Sequence, residues 1–168
     1  MMQFILSQLS KYFLLYYAYI ISTYQGMTIM AGIHFSFIDF KQLLALNIGI
    51  ADRLDENRAE SFTILYCNLE GIDQDVIDYA LENILRTSDS IVNHEKNYFF
   101  VLPYTDKYGA EIVKKMFDEA FAKFLNSFLL SYPADGEKPE DLLGAMQDSV
   151  SVFWKYDLPC LDRFAKVI

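Results

Sequence analysis

The stretch Phe62-Thr63-Ile64-Leu65-Tyr66-Cys67-Asn68-Leu69, followed by Glu70-Gly71, decides the fold. Its β-branched and aromatic residues form an apolar run of strand length. The Glu70-Gly71 pair that follows is typical of a turn. The sequence therefore predicts a buried central strand that ends in a tight turn.

Helical and strand patterns alternate along the rest of the chain. Asp73 is placed to cap a helix that continues to Leu85. The next elements are two strands, a helix with clear apolar periodicity, a short strand and a final helix that opens at Pro139. These middle elements cover Ser90 to Asn93, Asn97 to Leu102, Thr105 or Asp106 to Phe124, and Ser127 to Ser131. The turn His94-Glu95-Lys96 joins the first two as a hairpin.

This order predicts an α+β fold with a mixed, mainly antiparallel sheet and helices packed on it. A hairpin combined with strands that alternate with helices is typical of palm or ferredoxin-like domains, including the nucleotide cyclases. The chain has 168 residues, of which 53% are hydrophobic, so it has the length and composition of one domain with a substantial core.

The N-terminal part of the chain is unusually apolar. No Asp, Glu, Lys or Arg occurs from Tyr12 to Ile38. A helix over Phe4 to Tyr24 would be apolar on several faces, which is typical of a helix buried against another subunit or domain. A second helix is predicted from Ser36 or Asp39 to Leu54. We therefore divide the chain into an apolar helical segment (residues 1–37, interface or membrane-proximal) and a domain (residues 38–168).

Charge and cysteine content restrict the partners and the compartment. With 23 acidic and 14 basic residues the net charge is -9, which argues against nucleic acid as a partner. Cys67 and Cys160 fit neither a disulfide framework nor a metal-ligand spacing, so we expect reduced thiols in a cytoplasmic protein. The uncharged stretch is long enough for a membrane helix, but Gln25-Gly26 divides it. We expect a protein partner or a homodimer through the N-terminal helices, with membrane attachment as the alternative.

Three short motifs, in the same order, resemble the GGDEF family of bacterial diguanylate-cyclase-like signalling domains. The third motif is the most specific of them, and together they cover roughly residues 38 to 155. The motifs are Asn68-Leu69-Glu70-Gly71-Ile72 after the first strand, Leu85-Arg86-Thr87-Ser88-Asp89-Ser90-Ile91-Val92 before the hairpin together with Val101-Leu102-Pro103-Tyr104-Thr105-Asp106 after it, and Ser131-Tyr132-Pro133-Ala134-Asp135-Gly136 with Glu140-Asp141-Leu142-Leu143.

The departures from the family pattern imply that catalysis is lost. In place of the family's Gly-Gly-(Asp/Glu)-Glu-Phe, the hairpin has His94-Glu95-Lys96-Asn97-Tyr98. The strand-end carboxylate that holds metal in the family is replaced by the neutral Asn68. Gly71 to Arg86 is about half the family's length and lacks the segment that surrounds the guanine. Phosphoryl transfer depends on positioning and charge stabilisation, so we expect no cyclase activity, no catalytic residue, no metal and no cofactor.

Ligand binding is the property that the resemblance leaves open. Arg86 and Asp89 match the family's Arg-x-x-Asp, where the arginine clamps phosphate and guanine and the aspartate accepts hydrogen bonds from guanine. The resemblance thus implies either a non-catalytic interaction module or a cyclic di-GMP receptor. In the plainer interpretation the cation of Arg86 is favourable near the C-terminus of a helix, and Asp89 acts as a cap or pairs with Arg86. A third alternative is a nucleotide-processing enzyme with altered chemistry that depends on Glu70; Glu70 and Asp73 as a metal site is a weaker hypothesis.

Overall fold

A five-stranded sheet forms the centre of the structure, a computed structural model that describes residues 32–54 and 60–164. The strands are β1 (Ile33–Phe35), β2 (Glu60–Asn68), β3 (Ser90–His94), β4 (Asn97–Pro103) and β5 (Ser127–Pro133). The α-helices are α1 (Phe40–Leu54), α2 (Gln74–Ile84), α3 (Lys107–Ala120) and α4 (Pro139–Trp154), and short 3-10 helices cover Phe37–Asp39 and Pro159–Phe164.

The strands lie in the order β1-β3-β4-β2-β5, which makes the sheet mixed but mainly antiparallel. β1 pairs with β3 in parallel, and every other neighbouring pair is antiparallel. In the register of the sheet, Leu65 lies between Phe100 of β4 and Leu129 of β5. The predicted α+β class, the hairpin and the interior position of the Phe62 strand are therefore confirmed.

Helices cover both faces of the sheet because the side chains of each strand alternate between two apolar clusters. Ile64 of β2 joins the cluster that contains α1 and α4, whereas the next residue, Leu65, joins the cluster that contains α2 and α3. Both side chains are almost completely buried. This two-sided burial explains why the sequence of β2 is apolar throughout and shows no alternation of apolar and polar residues.

Local signals set the ends of two helices. The carboxylate of Asp106 accepts a hydrogen bond from the backbone N–H of Gly109 at 2.7 Å and caps α3, as its sequence position predicts. Pro139 occupies the first turn of α4, where its missing N–H costs nothing. Asp73 stands at the N-cap position of α2, but its side chain accepts no capping hydrogen bond.

The outer edge of β5 is occupied by side-chain groups and by a turn. Asp135 accepts a hydrogen bond from the Ser131 N–H at 2.7 Å through its carboxylate, and its own N–H donates to the Ser131 carbonyl at 2.9 Å. The indole N–H of Trp154 donates to the Ser127 carbonyl at 3.0 Å. Pro133, at the end of the strand, has no N–H to offer. These contacts protect an edge strand.

The N-terminal part differs from the sequence expectation where it is described. Ile33–Phe35, at the end of the segment expected to be helical, forms β1, whereas the predicted second helix is present as a 3-10 turn followed by α1. The expected helix over Phe4 to Tyr24 and its interface lie outside the described residues. Within residues 32–54 and 60–164, none of the helices has the length and apolarity needed to cross a membrane.

Candidate functional site

The end of β2 lies beside the β3–β4 hairpin. The N–H of Leu69 donates to the carbonyl of Lys96 at 2.8 Å, and Asn68 is paired with Asn97 across the ladder. Glu95, in the hairpin turn, has a φ of 54°, in the left-handed region. The fold therefore brings the strand-end motif and the hairpin motif together, although they are separated in the sequence by α2 and β3.

Asn68 shapes the turn that follows β2. Its Oδ1 accepts the N–H of Glu70 at 2.8 Å, which is the hydrogen bond of an Asx-turn. Its backbone N–H donates to the carbonyl of Asn126 at 2.9 Å. Gly71 then turns the chain with a φ of 78°, a conformation that side chains disfavour. The side-chain oxygen at this position is therefore engaged in holding the backbone.

Two lysines bind backbone oxygens around this turn. The Nζ of Lys96 donates to the carbonyl of Ile72 and to Oε1 of Gln74, at 3.1 Å in both cases. The Nζ of Lys123 donates to the carbonyl of Glu70 at 2.7 Å. Both ammonium groups thus lie where the chain leaves β2, and their charge disfavours a divalent cation at this place.

An open cleft of about 280 Å³ lies at this end of the sheet. Its lining consists of Asn68, Glu70, Gly71, Lys123 and Asn126. Lys123 is contributed by the loop between α3 and β5, which reaches the turn because β5 pairs with β2. No local sequence signal marks Lys123, since its place in the cleft follows from strand pairing over a long sequence distance.

Carboxylates are sparse around the cleft. Glu70 is exposed, and Asp73 is exposed at the start of α2. In the part of the chain that the structure describes, no group of three or more His, Cys, Asp or Glu side chains is arranged to hold one metal ion. Divalent magnesium requires several oxygen ligands with carboxylates among them. The chemistry that the cleft offers is hydrogen-bond donation from Lys123 and from side-chain amides.

Arg86 and Asp89 lie on the turn that joins α2 to β3. Asp89 Oδ2 accepts the backbone N–H of Arg86 at 2.8 Å, and the Asp89 N–H donates to the Arg86 carbonyl at 3.0 Å. The side chain of Arg86 is exposed, whereas Asp89 is only 3% exposed. The two residues are thus neighbours, but the guanidinium of Arg86 is exposed to solvent and the carboxylate of Asp89 is enclosed.

The start of β1 packs against the backbone of Asp89. The N–H of Ile33 donates to the Asp89 carbonyl at 2.8 Å, and a Cβ at Gly32 would lie 2.9 Å from the same oxygen. Glycine is therefore required for this close approach. Burial raises the pKa of Asp89, while the N–H and charge of Arg86 and the hydroxyl of Ser88 oppose the shift. Among the described residues, Asp89 Oδ1 has no hydrogen-bond partner.

Comparison with known proteins adds no relative. The sequence matches no model of a known protein family, and it shows no significant similarity to a curated protein sequence. The resemblance to GGDEF domains consequently depends on the three short motifs quoted above.

Proposed function

We propose that this chain is a non-catalytic GGDEF-like module that acts by binding a protein partner. The elements β2-α2-β3-β4-α3-β5, with the strand order β3-β4-β2-β5, support the palm or ferredoxin-like arrangement that the resemblance implies. The proximity of the strand-end motif to the hairpin supports it as well, because the family's active site lies between these two motifs.

The observation that carries the proposal is the position of the lysine ammonium groups at the end of β2. Lys96 and Lys123 bind carbonyl oxygens of the strand-end turn at 3.1 and 2.7 Å. A metal-dependent cyclase needs dications and their carboxylate ligands at this position. Here Asn68 uses its side-chain oxygen to hold Glu70 N–H, so positive charge and engaged oxygens replace the metal ligands. Phosphoryl transfer loses its charge stabilisation under these conditions.

A turnover assay tests the loss of catalysis. The full chain is incubated with GTP and either Mg²⁺ or Mn²⁺, and nucleotides are separated by chromatography, with an active diguanylate cyclase run in parallel. We expect GTP to remain unchanged. Formation of cyclic di-GMP would overturn the proposal.

A screen of other nucleoside triphosphates tests the enzyme alternative, with Glu70→Gln as the matched variant. Only turnover that this substitution removes would support that alternative.

The cyclic di-GMP receptor alternative has less support from the geometry. The exposed guanidinium of Arg86 is available to a phosphate, as recognition of the ligand requires. Asp89, however, already binds the Arg86 N–H and is only 3% exposed, so its carboxylate offers guanine little access. Calorimetric titration with cyclic di-GMP, using Arg86→Ala as the control, separates the alternatives. Micromolar binding that the variant loses would favour the receptor.

A further inference from the structure

The helix α3 carries a second apolar stripe on its solvent side. Its core side is formed by residues such as Ala110 and Phe117, which are buried against the sheet. Tyr108, Ile112 and Met116 follow one another at four-residue spacing and are exposed, Tyr108 to 77%. A surface helix needs only one apolar stripe to fold, so this second stripe is additional to the side of α3 that packs on the sheet.

The neighbouring helix α2 extends this apolar surface. Val76 and Tyr79 are exposed, Tyr79 to 66%, whereas Ile77 between them is buried in the core. Ile77 of α2 and Phe117 of α3 belong to the same core cluster, and the two helices pack together on one face of the sheet. Their outer sides therefore adjoin. A group of exposed apolar side chains on two neighbouring helices is typical of an interaction site.

The charges around this surface are mainly negative. Asp75, Asp78 and Glu82 are exposed on α2, which contains no Lys or Arg, and one exposed cation, Arg86, follows in the turn after it. The exposed charges of α3 beside the stripe are Lys115 and Glu119. An apolar surface edged by carboxylates attracts a partner that combines apolar anchors with Lys or Arg. A second copy of this chain fits poorly, because it would bring the same carboxylates and a net charge of -9 to the interface.

We propose that the outer sides of α2 and α3 dock a basic amphipathic helix of a partner protein. This proposal rests on the proposed function as a binding module and adds the chemistry of the partner. Tyr79, Ile112 and Met116 contact the apolar side of the incoming helix, and Asp78 and Glu82 pair with its cationic rim. Aromatic residues exposed in this way are the side chains that contribute most to protein interfaces.

A labelled synthetic peptide provides the probe. It has about 18 residues, or five helical turns, with Leu on one side and Lys on the other, and its matched control carries Glu in place of Lys. Binding to the full chain is followed by fluorescence anisotropy. We expect the Lys peptide to bind with micromolar affinity and the Glu peptide to show no binding.

Paired variants locate the binding surface. Tyr79→Ser combined with Ile112→Ser should weaken binding of the Lys peptide by about tenfold or more, since both remove apolar anchors. The control combines Leu46→Ser with Ile50→Ser, two exposed residues on α1, which lies on the opposite face of the sheet. It should leave the affinity unchanged. All four side chains are exposed, so circular dichroism and thermal melting are expected to show intact folding in both variants.

Three outcomes contradict the proposal: no binding of the Lys peptide, equal weakening by both pairs of variants, or equal binding of the Glu peptide. Self-association of the chain that Ile112→Ser abolishes in sedimentation would assign the surface to a homodimer and overturn the basic partner. These outcomes are separate from the proposed loss of catalysis. Cyclic di-GMP synthesis would refute that loss whatever the peptide does, whereas failure of the peptide leaves the turnover result standing.

Discussion

The carboxylate of Asp89 accepts the backbone N–H of Arg86 at 2.8 Å, so the two residues of the Arg-x-x-Asp motif are joined through the backbone of one of them. A buried acceptor that holds a turn stabilises the fold, while an exposed guanidinium contributes little. The turn between α2 and β3 therefore accounts for the spacing of the motif.

Asp89→Ala should destabilise the domain by about 1–3 kcal/mol, because the Arg86 N–H loses the buried carboxylate that holds the turn. Arg86→Ala should change the free energy of unfolding by less than about 0.5 kcal/mol, since its side chain is exposed. Urea denaturation followed by circular dichroism measures both values. Equal effects of the two substitutions would contradict the turn interpretation.

A buried ion pair within α3, which also contacts the loop that follows the helix, is a second sensitive point. Lys114 Nζ lies 2.6 Å from Asp118 Oδ2 and 3.5 Å from the ring centre of Phe124. Asp118 Oδ1 also accepts the N–H of Leu125 at 2.9 Å. Asp118→Ala should cost about 3–5 kcal/mol, because it leaves the Lys114 charge buried and unpaired. Chemical denaturation measures the loss, with the exposed Lys115→Ala as a control expected to be nearly neutral.

Tyr132 should make the free energy of unfolding decrease as the pH becomes alkaline. Its hydroxyl donates to Asp52, and this hydrogen bond, together with burial and the charge of Asp52, raises its pKa to about 12. In the unfolded chain a tyrosine titrates near about 10. Between about pH 10 and about pH 12 the folded state therefore keeps the Tyr132 proton that the unfolded chain loses. The stabilisation by this hydroxyl is complete below about pH 10 and is lost as the pH rises to about 12.

Tyr132→Phe should remove this part of the pH dependence. The variant is expected to be less stable by about 1 kcal/mol at neutral pH, because the hydrogen bond is lost, and to lose less stability than the parent as pH rises above about 10. Urea midpoints measured at a series of pH values test the difference. Burial also raises the pKa of Tyr66. Because Tyr66 is present in both proteins, its effect cancels in the difference between the two pH profiles. Parallel pH profiles would contradict the assignment.

Replacing either of two glycines with alanine should change the stability of the domain, but in opposite directions. Gly71 has a φ of 78° at the end of β2, so Gly71→Ala should cost about 1–2 kcal/mol. Gly144 lies within α4, and a Cβ there meets nothing within 4 Å, so Gly144→Ala should stabilise the domain by about 0.5–1 kcal/mol. Thermal melting of the two variants gives the signs directly, and a gain in stability from Gly71→Ala would contradict a left-handed conformation at this position.

The sequence predicted those elements whose signals are local. The apolar run of β2, the hairpin and the periodic pattern of α3 are complete within their own residues, and the structure confirms them. β1 was not predicted, because three residues carry no pattern and depend on parallel pairing with β3. The contribution of Lys123 to the cleft was missed for the same reason. The backbone contacts of Asp89 also involve a distant segment, since Gly32 and Ile33 pack against its carbonyl.

The hydrogen bonds that occupy the outer edge of β5 limit how this domain can assemble. With the Ser131 peptide groups bound to Asp135 and the Ser127 carbonyl bound to Trp154, an incoming strand finds few backbone partners on that side. Growth of the sheet into fibres or strand-swapped dimers is thereby discouraged at this edge. Recognition at this side must rely on the shape and polarity of side chains. A partner bound in that way is free to dissociate without disturbing the hydrogen bonds of the sheet.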